Sequence, residues 1–134
     1  MALVGVVADD LTGANDTAVQ FSKQGFRAVV LLGLDSFSTR GHDADVVVVD
    51  TASRDRPPAE AAAAAYAAAA ALRASGVSLV YKKLDSTLRG NVAAEIQAVV
   101  DAFESPGCLV APAFPALQRV TLGGYQLAGL RLAF

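Results

Sequence analysis

The sequence has no tryptophan, one methionine, one histidine and one cysteine. A lone Cys108 excludes an internal disulfide framework, and its apolar run Cys108–Val110 predicts a buried structural thiol rather than a nucleophile. His42 stands alone in a polar turn, without a second histidine or a triad partner at recognisable spacing, so no role is assigned to it. Charged residues are few, and a net charge of −2 argues against a nucleic-acid binder working through a basic surface. No apolar run approaches the ~20 residues of a membrane span. Met1–Val7 lacks the basic start of a secretory leader, so the default expectation is a soluble cytoplasmic protein. Also missing are the Walker A pattern, GxGxxG, and any Cys/His spacing of a metal site.

What the chain does contain is apolar sequence in short, punctuated runs. With 134 residues, of which 54% are hydrophobic, it suits one globular domain with a real core. Strands are predicted at Leu3–Val7, Arg27–Leu32, Asp45–Val49, Leu79–Lys82 and Cys108–Ala111. The four consecutive valines Val46–Val49 suggest a central strand covered on both faces. Helices are predicted at Asn15–Gln24, closed by Gly25, at Ala59–Ala74 behind Pro57-Pro58, and at Val92–Phe103. In the first, Ala18, Val19, Phe21 and Ser22 are expected near one face; in the last, Ile96, Val99, Val100 and Phe103. Strands alternating with helices imply right-handed crossovers, hence an α/β fold. Its expected form is a mainly parallel sheet with helices on both faces, a single three-layer domain. The stretch Gly33–Ala44 reads as polar turn, and strand order does not follow from the sequence.

In such sheets ligands sit outside the carboxyl ends of the strands, where these loops are unusually polar. After the first strand comes Asp9-Asp10-Leu11-Thr12-Gly13-Ala14-Asn15-Asp16. Its acids can hydrogen-bond a polyol, accept a hydroxyl proton or hold Mg²⁺, while Asp16 or Asn15 is expected to cap the helix. After the third strand, Arg54 with Thr51 and Ser53 forms a possible anion-binding point, and Arg56 reads as an exposed loop charge. The run Lys82–Asn91 after the fourth is the densest. Arg89 offers a planar fork for a carboxylate or phosphate, and Asp85, Ser86 and Thr87 suit a polyhydroxy ligand. Lys82 and Lys83 alternate across the strand, so at most one faces the site. Gly90 allows close backbone approach, and the helix start at Asn91 favours an anion. The plain structural alternative is an ion pair between Asp85 and a neighbouring cation, with Ser86 or Thr87 as cap. Ala111–Pro115 is expected to join these loops after the fifth strand.

Four stretches, Ala8–Ala14, Asp50–Arg54, Tyr81–Asn91 and Ala111–Pro115, together resemble the N-terminal domain of the four-carbon acid sugar kinases, in order and in spacing. The resemblance runs from about Leu3 to Leu127, and DSTLRGN is its most specific part. It implies an ATP-dependent kinase of threonate, erythronate or 3-oxo-tetronate type, with sugar acid bound by this half and nucleotide by a separate C-terminal domain. By position it implies contacts from Asp9, Asp10, Ser53, Arg54, Lys83, Asp85 and Arg89, with Asp9 or Asp10 acting on the attacking hydroxyl. ATP and Mg²⁺ are expected through that second domain, and no metal site in this half. The implied organisation is a sugar-acid domain over residues 1–127 and a divergent tail over 128–134, inactive as a kinase alone. Two other functions are weighed: a non-catalytic sugar-acid or interaction module, and a Mg²⁺-dependent phosphohydrolase or phosphotransferase using Asp9 and Asp10. The last is disfavoured because adjacent side chains point apart on an extended chain.

Overall fold

The computed structural model describes residues 2–35 and 43–129. The described elements are β1 (Val4–Ala8), α1 (Leu11–Lys23), β2 (Ala28–Leu32), β3 (Val46–Asp50), α2 (Pro58–Ala74), β4 (Leu79–Lys83), α3 (Val92–Phe103), a 3-10 turn Pro115–Leu117, β5 (Arg119–Leu122) and β6 (Tyr125–Ala128). Strands β2-β3-β1-β4, in that order, form one all-parallel sheet. This is the expected α/β three-layer arrangement. Helix α1 lies on one face against Val6, Ala8, Val46 and Val48; α2 and α3 cover the other against Val7, Val47 and Val49. Every residue of β3 is buried, as its unbroken valines require between two helical layers.

Alanine makes α2 both helical and thin. Ala61, Ala65, Ala68, Ala69 and Leu72 form its buried stripe at helical spacing, and small side chains let α2 and α3 pack closely on the sheet. No helix among the described residues is long and apolar enough to cross a membrane.

Several expectations need correction. Helix α1 begins at Leu11, with Asp10 rather than Asn15 or Asp16 as its cap, and its buried face is Gly13, Ala14, Thr17 and Ala18. Val19 is half exposed. On α3 the buried stripe is Glu95, Ala98, Val99 and Ala102, one residue round from the apolar spacing that Ile96 and Val100 suggest. Cys108–Ala111 forms no strand. It finds no backbone partner among the described residues; Cys108 is exposed and Leu109 is 93% exposed. Composition alone cannot supply the neighbouring ladder that a strand needs. The hairpin β5–β6 was not anticipated, although Gly123-Gly124 between two short runs is a strong hairpin signal. Both glycines adopt positive φ, 58° and 84°, as a tight primed turn requires. His42 and most of the turn before β3 lie outside the described residues.

The covering of β3 can be tested directly. Val47 is 2% exposed, so Val47→Asp buries a carboxylate with no partner. The expected loss is at least about 3 kcal/mol, measured by urea denaturation.

Candidate functional site

Strand register builds the site. Ala8, Asp50 and Lys83 are paired across the sheet, so the loops after β1, β3 and β4 leave it in one row. The loop after β3 hangs from the end of β1 by its backbone: Thr51 N donates to Ala8 O at 2.9 Å, and Ser53 N and Arg54 N to Asp9 O at 2.9 and 3.2 Å. That anchoring aims Arg54 at both acids. Its Nε and Nη2 donate to Asp9 at 2.8 and 3.0 Å, and its Nη1 donates to Asp10 at 2.6 Å. Adjacent acids converge here because the chain turns between them: Asp9 ends the strand path, whereas Asp10 caps α1 by accepting from Gly13 N at 2.8 Å. The objection that neighbouring acids must diverge therefore does not hold at this junction. The Asp9 side chain is 5% exposed and that of Asp10 26%, so Asp10 is the acid that solvent and ligands can reach. The hydrogen bond to Asp9 raises the Arg54 pKa, against an opposing effect of burial.

The β4–α3 loop is organised around Asp85. Its carboxylate accepts from Arg89 Nη2 at 2.8 Å and Nε at 3.1 Å, from Thr87 N at 3.0 Å, and from the Thr87 hydroxyl. The Arg89 guanidinium, followed by Thr87, holds the Asp85 carboxyl well below the usual carboxylate range. The structural alternative for this cluster, an Asp85 ion pair, is thus present. Arg89 is nevertheless 68% exposed on its side chain, and its Nη1 makes no hydrogen bond among the described residues. Gln126 of β6 ties the loop to the hairpin by donating to Ser86 O and Pro112 O at 2.8 and 3.1 Å.

The two lysines split as alternation predicts. Lys83 lies beside the start of α1, near Gly13, donates to Leu84 O at 2.7 Å, and has no carboxylate partner among the described residues. Lys82 points the other way and pairs with Glu95 at 2.8 Å, with only 8% and 2% of the two side chains exposed. Ser53 is completely buried and donates to Glu95 at 2.6 Å, so its side chain lies beneath the row of loops and not in it. Sequence reading missed Glu95. The available signal was an acid three residues before Ala98 and four before Val99, on what proves to be the buried stripe of α3.

Two further residues fix the geometry. Asn91 Nδ2 donates to Arg56 O at 2.9 Å and lies within 3.4 Å of Ser53 O and Arg54 O, tying α3 to the loop after β3. Gly90, at φ +88°, sits tightly against the clamp: an added Cβ would meet Asp9 Oδ2 at 3.1 Å and Arg54 Cγ at 3.3 Å. Arg56 is exposed, as expected, and donates to Ala52 O. Among the described residues no group of three or more His, Cys, Asp or Glu side chains is placed to hold a metal ion.

Comparison with known proteins places the chain in a family. A family described as the sugar-binding N-terminal domain matches residues 4–133. The chain belongs to that family. Curated relatives bear the names D-threonate kinase, D-erythronate kinase and 3-oxo-tetronate kinase. The D-threonate kinase of Salmonella typhimurium is 46% identical over 120 residues, covering 89% of this chain and 28% of that protein. The D-erythronate kinase of Heliobacterium modesticaldum is 39% identical over 129 residues, 95% of this chain and 29% of that protein. A crystal structure of a domain of unknown function from Bordetella bronchiseptica, a domain-swapped dimer with bound citrate, superposes with a TM-score of 0.91 at 41% identity. It covers 96% of this chain and 33% of that one. The chain thus spans about a third of the length of the relatives it matches, and corresponds to the N-terminal sugar-binding domain of four-carbon acid sugar kinases.

The Asp85–Arg89 pair has a pH signature. Its folded-state pKa is depressed, so its contribution to loop order is complete above the ordinary aspartate value of about 3.9 and is lost as pH falls below it. Arg89→Ala removes the largest cause and should move the Asp85 titration upward toward that value, with Thr87 still holding it partly down. Carboxyl ¹³C NMR titration of both proteins measures the change.

Proposed function

We propose that the chain is the acceptor-binding half of an ATP-dependent kinase that phosphorylates a four-carbon sugar acid of threonate, erythronate or 3-oxo-tetronate type. The observation that carries this reading is the row of strand ends. It sets two acids, clamped by Arg54, beside two cations with free donor capacity, Lys83 and Arg89. A small molecule with hydroxyls at one end and a carboxylate at the other matches that polarity. The names of the relatives and the family description support the same class of ligand.

In this reading Lys83 and Arg89 hold the carboxylate by charge-assisted hydrogen bonds. Arg89 does so through Nη1, or by trading part of its contact with Asp85, which is left to accept from a hydroxyl. Asp10 accepts from the attacking hydroxyl and orients it. Asp9, buried and bidentate on Arg54, keeps that arginine in place, and Ser53 holds the loop from below. Phosphoryl transfer depends mainly on positioning and charge stabilisation, so these are the tasks of the acceptor side. ATP and Mg²⁺ belong to a C-terminal nucleotide-binding domain, with this chain as the sugar-acid domain.

Two experiments test the proposal. Titration calorimetry of the chain with D-threonate, D-erythronate and 3-oxo-tetronate should give saturable binding of at least one, weakened by Arg89→Ala roughly 10-fold or more. That corresponds to losing a hydrogen bond to a charged group, about 1.5–3 kcal/mol. Heat from none of the three overturns the reading. In a kinase that joins this chain to the rest of a family member, Asp10→Asn should lower kcat by about 10²–10⁴, the range for a positioned acid or base. Asp9→Asn should act mainly on KM. Full activity of both variants in an ADP-release assay removes the first loop from the mechanism.

A further inference from the structure

We infer that Glu95 is a positioning residue for the sugar-acid site, acting through Ser53 and Lys82 rather than by touching the ligand. The inference rests on the reading above that the row of loops binds a sugar acid. Glu95 is 1% exposed, in the first turn of α3, where the helix dipole favours an acid. Its two oxygens serve different elements. Oε2 takes Lys82 at the end of β4, at 2.8 Å, and Oε1 takes the Ser53 hydroxyl in the loop after β3, at 2.6 Å. One buried carboxylate therefore joins three elements, α3, β4 and the loop after β3, from beneath the site.

Each contact leads one step further toward the site. Lys82 also donates to Lys83 O at 2.8 Å, fixing the backbone of the cation proposed to meet the substrate. Ser53 lies 2.7 Å from the Thr51 hydroxyl, which donates to Ala8 O at 2.9 Å, so the loop is held to β1 at the residue before Asp9. Ser53 immediately precedes Arg54, whose fork sets Asp9 and Asp10. Both ends of the site, the acids and Lys83, are thus indexed to one group beneath them. An ion pair needed only for stability would require neither the Ser53 hydroxyl nor a second Lys82 contact aimed at Lys83. A displacement of a fraction of an ångström at such a pivot is felt where several donors must meet one small ligand.

The test compares three variants with the wild-type chain, at a temperature where circular dichroism shows each folded. Ser53→Ala removes only the hydroxyl and leaves the Lys82–Glu95 pair; Glu95→Gln removes the charge. Val99→Ala, also on the buried face of α3 but away from the loops, is a cavity control expected to lower the melting temperature without changing affinity. Calorimetry with D-threonate, D-erythronate and 3-oxo-tetronate should show Ser53→Ala and Glu95→Gln weakening binding about tenfold, and Val99→Ala binding as wild type. A second readout needs no ligand: the Arg54 Nε–H resonance, protected from solvent exchange by Asp9 in the wild type, should exchange faster in the first two variants only. If no sugar acid binds the wild type, the functional reading fails while the Arg54 signal still decides the positioning claim. If Glu95→Gln does not fold, Ser53→Ala carries the test alone. Unchanged affinity together with unchanged Arg54 exchange in folded Ser53→Ala overturns the inference.

Discussion

Arg54 donates through all three nitrogens of its guanidinium to two carboxylates that are neighbours in sequence, and the rest of the site is arranged so that this can happen. The loop after β3 must be anchored to β1, which Thr51, Ser53 and Arg54 accomplish through Ala8 O and Asp9 O. Helix α1 must begin at once after the second acid, which Asp10 arranges by capping Gly13. A charge buried as deeply as Asp9 is tolerable only when paired and hydrogen-bonded, and a bidentate arginine satisfies both conditions. The clamp is therefore as much a condition for closing the sheet end as a feature of ligand chemistry.

Beneath it lies a second, drier layer of polar contacts. Lys82, Glu95 and Ser53 form a connected set, and Thr51, whose hydroxyl donates to Ala8 O, lies against it, so that each has a partner. Such networks are favourable only when complete, since an unpaired member in a low-dielectric interior is costly. The two layers share one loop, so the upper cannot shift without disturbing the lower. Rigid support from β1, β3 and β4 is what allows flexible side chains such as Lys83 and Arg89 to stand at defined starting points.

The sequence was informative where chemistry is local. The valines of β3, the alanines of α2 and the polar runs after three strands follow from period and composition alone, and so does the opposite facing of Lys82 and Lys83. Tertiary facts were not legible. Nothing in a linear reading says that Arg54 and Asp9, 45 residues apart, are partners, or that Ser53 turns inward. The segment Cys108–Ala111 has strand-like composition, but β-structure depends on a neighbour, and its side chains face outward instead. Glu95 was overlooked because nothing in a linear reading shows that Lys82 supplies the compensation that lets a charged residue lie inside an apolar stripe.

Gly90 illustrates how such a site constrains a gene. It carries no functional group, yet its vacant Cβ position is bounded by Asp9 and Arg54, and its φ of +88° disfavours any L-residue. In a map of mutational tolerance, position 90 would be as intolerant as the acids it touches, although no chemistry can be ascribed to it. A substitution there would act twice, by straining the backbone at positive φ and by pressing the Asp9–Arg54 pair a few tenths of an ångström out of place. Intolerance at this position would report on shape, and a search for function guided only by reactive side chains would pass over it.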